Sequence, residues 1–197
     1  MLKEKLKKYK LILASGSPRR QQFFKDLDLD FEIRIKDVEE IYPPELKAVE
    51  ITNFLAELKA AAFEGKLKPN EILVTSDTIV WHQNKALGKP KNYDDAFNIL
   101  KALSNSTHEV FTSVCIKNND KIDIINETTK VTFSVLSDEA IAYYLENFKP
   151  YDKAGAYGIQ EWIGLIGISK IEGSYSNVVG LPVQKVYEYF ANFGKNQ

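Results

Sequence analysis

The chain has 197 residues, 44% of them hydrophobic, and a formal net charge of −1, which excludes a global electrostatic attraction to nucleic acid. One cysteine excludes an internal disulfide, and with only two histidines beside it a Cys/His zinc site is not expected. The apolar runs are too short for a signal peptide or a transmembrane helix, so we expect a cytoplasmic protein that binds neither membranes nor nucleic acid.

The stretch of residues 11–22 predicts a strand, a tight turn and a helix. It opens with the apolar run LILA, which is typical of a short buried strand. Pro18 suits the first position of a helix, where its missing N–H costs nothing. Ser17 then lies at the N-cap, and its side chain can accept a hydrogen bond from a backbone N–H of the first turn.

The first turn of this helix carries two arginines, Arg19 and Arg20. The helix dipole disfavours each cation at this end by about 0.3–1 kcal/mol. One interpretation is that an anion, with phosphate as the obvious candidate, completes a site built with the hydroxyls of Ser15 and Ser17. The other is that the arginines pair with surface carboxylates. The residues favour the anion site.

The next segment predicts a strand, an acidic loop and a long helix. Residues 31–35 alternate as a strand, and residues 37–44 form an acidic loop with two prolines that is either a solvated surface or part of a site. Residues 46–64 have helical periodicity. On that helix Lys59 has apolar neighbours three and four residues away. Its stem either carries the ammonium out to solvent or aims it into a cleft, and the residues alone favour the first interpretation.

Asp77 lies inside an apolar region. We expect one buried strand at residues 72–74 and another at residues 79–81, with residues 75–78 as the connection. A carboxylate in that position is either partly buried with partners or faces a cleft. The lysines of the following GKPK segment, Lys89 and Lys91, favour a cleft.

The rest of the chain alternates between helices and strands. His108 has no nucleophile beside it and is expected to be structural. The predicted elements are a return strand to residue 87, a helix at 93–103 capped by Asn92, antiparallel strands at 110–116 and 122–135, a helix at 138–148, a glycine-containing loop at 151–160, a strand at 163–171, a turn at 173–177 and a helix at 182–194.

Seven motifs in this order resemble those of the Maf family of nucleoside triphosphate pyrophosphatases, and the resemblance covers almost the whole chain. Any one of them alone is a weak signal, whereas the ordered set is specific. The motifs are SGSPRR (15–20), LAELKA with Lys59, SDTIV with Asp77, GKP (88–90), THEV (107–110), DKAGAYGIQ (152–160) and GSYSNVVGLP (173–182). Glu161 departs from the pattern, because the family often has glycine after GIQ.

The resemblance implies the fold and the reaction. The expected fold is mixed α/β, a single domain over residues 1–197 with an elongated, curved sheet flanked by helices and two lobes around a cleft, similar to the inosine triphosphatase fold. The implied reaction is hydrolysis of a nucleoside triphosphate to the monophosphate and pyrophosphate with Mg²⁺ or Mn²⁺, as nucleotide-pool house-cleaning. The family also allows a homodimer.

Hydrolysis of a phosphoanhydride depends mainly on positioning and on charge stabilisation, so cations and donors must surround the triphosphate. Asp77 is the implied catalytic residue, a general base for the attacking water, and with Glu40 it would hold the metal. The implied phosphate-binding residues are Ser15, Ser17, Arg19, Arg20, Lys59 and Lys89.

Three positions divide this family by substrate, and here they are Arg19, Thr78 and Gln160. That set resembles the branch that acts on dTTP and UTP, with standard or modified pyrimidine nucleotides as the target. Two alternatives remain: a pyrophosphatase of the 7-methyl-GTP branch, and a nucleotide-binding regulator of septum formation or cell division.

Overall fold

The computed structural model describes residues 2–194, which form a seven-stranded sheet and eight α-helices. The strands are β1 (Lys10–Leu13), β2 (Phe31–Ile33), β3 (Glu71–His82), β4 (Lys85–Leu87), β5 (Thr107–Lys117), β6 (Ile122–Phe133) and β7 (Ile168–Glu172). The helices are α1 (Leu2–Leu6), α2 (Pro18–Asp26), α3 (Val49–Ala61), α4 (Tyr93–Leu103), α5 (Asp138–Phe148), α6 (Trp162–Gly167), α7 (Tyr175–Val179) and α8 (Val183–Asn192). A 3₁₀ turn covers Ala154–Ala156.

The sheet combines parallel and antiparallel pairs, in the order β2-β1-β3-β5-β6-β7 with β4 paired to β3. β1 is parallel to both neighbours, with Leu11 opposite Phe31 in β2 and Ile72 in β3. β4 is antiparallel to β3, and β7 is antiparallel to β6, where Val131 lies opposite Ile171. The predicted mixed α/β class is confirmed. The curvature of the sheet and the cleft stay predictions.

The chain divides into two compact units, each made of separate chain segments. Unit 1 contains the described residues up to Asp77, Thr112–Glu127 and the described residues from Gly180 on, and unit 2 contains Thr78–Phe111 and Thr128–Val179. The division falls within β3, β5 and β6. The prediction of one domain with two lobes stays a prediction.

Each unit buries its own apolar core. In unit 1, Leu11 of β1 packs in a cluster with Phe24 of α2 and Phe190 of α8. Ile12, the next residue of β1, belongs to a second cluster with residues of α3. Because both faces of β1 are covered, the strand is apolar at consecutive positions rather than alternating. In unit 2, Tyr144 of α5 lies in the core with residues of α4, β5 and β6.

Three expectations about elements were wrong. Residues 71–82 form one strand rather than two, since no Gly or Pro interrupts them. The predicted strand at 163–171 is a helix to Gly167 followed by β7. The apolar residues of the run WIGLIG fit the period of a helix as well as that of a strand. The predicted turn at 173–177 contains the start of α7. Among the described residues, no helix has both the length and the apolar character needed to cross a bilayer.

Candidate active site

Asp77 and Glu40 share one cation, the ammonium of Lys59. Lys59 Nζ lies 2.6 Å from Asp77 Oδ1 and 2.9 Å from Glu40 Oε1. The Asp77 side chain is only 9% exposed, whereas that of Glu40 is 45% exposed. The ammonium therefore joins a buried carboxylate of the sheet to a carboxylate of the loop that follows β2. The Lys59 side chain is 18% exposed and its ammonium is paired with these two carboxylates, and whether it faces a cleft stays a prediction.

The position of Lys59 follows from how α3 packs on β3. The Thr75 hydroxyl donates a 2.7 Å hydrogen bond to the backbone carbonyl of Ala56. Asp77 lies two residues after Thr75 on the same face of the strand, and Lys59 lies three residues after Ala56 on the same side of the helix. The Asp77–Lys59 contact is therefore the next contact between β3 and α3 after the Thr75–Ala56 contact. Thr75 was missed by the sequence reasoning because a break was expected there, although period-2 spacing from Asp77 would have indicated it.

The donor set at this site suits a hard divalent cation. Carboxylate oxygens are the ligands that such ions prefer, and Mg²⁺ is commonly held by one or two carboxylates, with water and substrate phosphates as its other ligands. Asp77 and Glu40 are two carboxylates that already converge on a single cation. Among residues 2–194 there is no cluster of three or more His, Cys, Asp or Glu side chains arranged to hold a metal. The two residues named for the metal are thus brought together, and their chemistry fits it.

The turn between β1 and α2 is organised by two serine hydroxyls. Ser17 is the N-cap of α2 and accepts from the backbone N–H of Arg20 at 3.5 Å, and Pro18 is the first helical residue, both as predicted. Ser15 Oγ accepts from the backbone N–H of Ser17 at 3.2 Å, and Ser15 is buried. Each hydroxyl also carries a proton that it can donate to a phosphate oxygen.

Arg20 connects this turn to the strand that carries Asp77. Its Nε donates to the carbonyl of Gly180 at 2.8 Å, and its Nη1 donates to the carbonyl of Ser76 at 3.0 Å. Burial lowers the pKa of the Arg20 guanidinium from its ordinary value, and the charge of Asp77 partly offsets that effect. Arg20 therefore stabilises the turn structurally, a function that the sequence did not indicate. Arg19, its neighbour, is half-buried. Whether either binds phosphate stays a prediction.

The other three predicted site residues belong to unit 2. Thr78 is half-buried and follows Asp77 directly in β3, whereas Lys89 and Gln160 are exposed. The segments that carry Lys89 and Gln160 are linked, because the N–H of Gly155 donates to the carbonyl of Gly88 at 3.1 Å. Lys89 as a phosphate ligand, and Thr78 and Gln160 as specificity residues, stay predictions.

Gly155 is the residue that makes this link sterically possible. Its φ is +70°, a conformation that favours glycine, and an added Cβ would lie 2.7 Å from Val80 Cγ2. A larger residue would therefore push β3 away from the loop. The first glycine of the AGAYG motif thus has a packing reason.

Comparison with known proteins gives a matching family, two similar proteins and a solved structure. A family model described as Maf-like protein matches residues 10–193. A dTTP/UTP pyrophosphatase of Flavobacterium johnsoniae is 78% identical over 189 residues, which are 96% of this chain and 97% of that protein. One of Flavobacterium psychrophilum is 67% identical over 192 residues, 98% of each chain. Among solved structures, the Staphylococcus aureus Ham1 protein matches with a TM-score of 0.47 and 14% identity, over 63% of this chain and 71% of that one.

Proposed function

Because the chain belongs to the Maf family, we propose that it is a nucleoside triphosphate pyrophosphatase that hydrolyses dTTP and UTP to the monophosphate and pyrophosphate. The names of its Flavobacterium relatives support this proposal, since those proteins match nearly the full chain at 67–78% identity. We also propose that it acts in the cytoplasm on standard or modified pyrimidine nucleotides and so cleans the nucleotide pool.

The observation that carries the proposal is the contact of Lys59 with both Asp77 and Glu40. In the proposed reaction the Asp77 carboxylate takes a proton from the attacking water, and its burial keeps competing solvent away from that oxygen. Lys59 would then stabilise negative charge that builds on the phosphates. Two carboxylates hold its ammonium at this site before a triphosphate binds.

The turn between β1 and α2 is the proposed cradle for the triphosphate. The hydroxyls of Ser15 and Ser17 can donate to phosphate oxygens, and Arg19 supplies a fixed positive charge beside them. Arg20 holds the turn against the carbonyls of Ser76 and Gly180 and adds its own charge. An anion there would offset the repulsion between these cations and the N-terminal end of α2. Lys89 is the proposed sixth phosphate ligand.

We propose a divalent metal at the carboxylate pair. Asp77 and Glu40 would hold Mg²⁺ or Mn²⁺, which when bound would polarise a phosphoryl oxygen and lower the pKa of a bound water. Lys59 occupies the position between these carboxylates in the structure. With a metal held by the two carboxylates, the Lys59 ammonium would move away from them and pair with phosphate oxygens of the substrate.

Base selection is proposed to depend on Thr78 and Gln160. Uracil and thymine present the same pairing edge, with two carbonyl acceptors and one N–H donor, and a side-chain amide can match it with one donor and one acceptor. Cytosine reverses that polarity at N3 and at position 4. Once a bound base covers these side chains, a mismatch would leave a polar group unpaired, which costs about 1–3 kcal/mol, or roughly tenfold or more in rate.

A panel of nucleoside triphosphates tests the proposal directly. Release of pyrophosphate would be measured for dTTP, UTP, CTP, dCTP and the purine triphosphates, including 7-methyl-GTP, with Mg²⁺ or Mn²⁺ and without metal. We expect dTTP and UTP to have the highest kcat/KM and to require metal. Orthophosphate as the product, a preference for 7-methyl-GTP, or no hydrolysis of any triphosphate would refute the proposal.

A further inference from the structure

The segment that carries Gln160 is held by the residue that follows it. The Glu161 carboxylate accepts a short hydrogen bond from the Tyr144 hydroxyl through Oε2, and its Oε1 lies 3.1 Å from Lys153 Nζ. Tyr144 is fully buried, and the side chains of Lys153 and Glu161 are 10% and 20% exposed. The carboxylate is therefore held firmly from two sides. Without the Glu161 carboxylate the buried Tyr144 hydroxyl would lose its acceptor, whereas Lys153 would keep its 2.7 Å contact with Asp152 Oδ1.

A second contact closes this arrangement on the loop itself. The backbone N–H of Gly158 donates to the Tyr144 hydroxyl at 3.0 Å, so that one hydroxyl joins Gly158 to Glu161 across Gln160. Burial, and then the bond to Glu161, raise the pKa of the Tyr144 hydroxyl well above its ordinary value. The hydroxyl therefore remains a donor to Glu161 at any ordinary pH.

Glu161, Tyr144 and Lys153 form a bracket that is bonded to Gly158 through Tyr144, and Gly158 also lies close to the Gln160 amide. A Cβ at residue 158 would lie 2.7 Å from Glu161 Cδ and 3.0 Å from Gln160 Nε2. The carboxylate and the amide thus pack against the same glycine. Glu161 is also the residue before α6, yet its side chain makes no capping bond to that helix. Its carboxylate is used for the bracket instead of for the helix end.

We propose that Glu161 is a positioning residue for base recognition, which through Tyr144 and Lys153 holds the segment on both sides of Gln160 and so keeps its amide in place. The inference rests on the proposed function, because Gln160 is taken there as the reader of the pyrimidine edge. If that segment moves, the amide can meet the base with its donor and acceptor in either order and matches cytosine about as well as uracil. Glycine, which the family often has at this position, cannot form the bracket.

The test is a double-mutant cycle between Glu161→Ala and Gln160→Ala. For each variant kcat and KM would be measured for UTP and for CTP. We expect Glu161→Ala to raise KM for UTP, to change kcat little, and to reduce the UTP-over-CTP preference by about tenfold. If Glu161 acts through Gln160, the double variant loses no more preference than Gln160→Ala alone. Additive losses, or an equal fall in kcat/KM for UTP and CTP, would overturn the inference.

Further variants separate positioning from folding. Glu161→Gln keeps an oxygen that can accept from Tyr144, so we expect it to retain the preference within about threefold; a loss equal to that of Glu161→Ala would count against the bracket. Glu172→Ala is the matched control, because Glu172 is an exposed carboxylate of unit 2 paired with Lys170 at 3.0 Å, and it should leave the preference unchanged. A wild-type protein without triphosphate hydrolysis would instead refute the proposed function, and the inference with it.

Discussion

Thr75 donates a hydrogen bond to the carbonyl of Ala56, and this contact sets the position of α3 on β3 just before Asp77. Both residues are completely buried. In Thr75→Val the shape is kept and the donor is lost, so we expect the free energy of unfolding to fall by about 1 kcal/mol. We also expect the fall in kcat, expressed as an activation free energy, to exceed this loss of stability, because the same packing positions Lys59. Denaturant unfolding and pyrophosphate release measure the two effects, and unchanged kcat would show that the contact does not position Lys59.

Asp77→Asn removes the proposed proton acceptor and keeps the shape of the side chain. Since a general base contributes about 10²–10⁴-fold, we expect hydrolysis of UTP to fall by at least that factor while nucleotide is still bound. The matched control is Asp123→Asn, another carboxylate of unit 1, which is bonded to Tyr189 and Lys121. Turnover of Asp77→Asn within a few-fold of the wild type would contradict the assignment.

Arg19→Gln and Arg20→Gln should differ in their effects on stability. Arg20→Gln loses two hydrogen bonds to backbone carbonyls, so we expect a loss of about 2 kcal/mol and a lower Tm by roughly 5 °C. Arg19→Gln should change Tm less. If Arg19 binds phosphate, the Arg19→Gln protein should also gain less stability from added pyrophosphate than the wild type does. Thermal unfolding with and without pyrophosphate checks both, and equal Tm values for the two variants would contradict the bracing role of Arg20.

His108 should make stability depend on pH. It is buried with its Nε2 2.7 Å from the Tyr157 hydroxyl, and burial lowers its pKa to about 3. The unfolded chain binds a proton below about pH 6.5 that the folded protein does not, so stability is complete above that pH and decreases as the pH falls towards 3. Between about pH 6.5 and 4.5 we expect this residue to cost roughly 2–3 kcal/mol.

Denaturant unfolding of the wild type and of His108→Gln over this pH range measures that contribution. The variant should have the flatter curve, whatever its absolute stability. Below about pH 4.5 both proteins should lose further stability, since Arg34 lowers the pKa of Glu71 to about 2 and that carboxylate must then be protonated. Parallel curves above pH 4.5 would show that His108 does not titrate as expected.

The sequence was most informative where several local signals agree. Around Ser17 and Pro18 the cap, the proline and the apolar run before them all predict one strand-to-helix turn, and the structure has it. Around residues 75–78 a polar cluster suggested a break, but tertiary contacts pair Thr75 and Asp77 with α3 and let the strand continue. Such pairing depends on residues about twenty positions away, which local patterns do not reveal.

The same limit applies to the charged side chains. Lys59 among apolar neighbours had two interpretations, and no local pattern indicates its contacts with Asp77 and Glu40. Arg20 and Glu161 could be identified as unusual, one by the helix dipole and the other by its place after Gln160. Their partners are backbone carbonyls and a tyrosine hydroxyl. No sequence pattern indicates a backbone acceptor, so these roles required the fold.

The order in which the chain leaves the ribosome has a consequence for unit 1, because its core is built from both ends of the described chain. Leu11 and Phe24 pack in one cluster with Val186 and Phe190 of α8. Unit 2 draws all its residues from 78–179, so its segments are all synthesised before α8. The faces of β1 and α2 that pack against α8 therefore stay uncovered by it until α8 has been synthesised. This interval is when the chain most needs protection from aggregation.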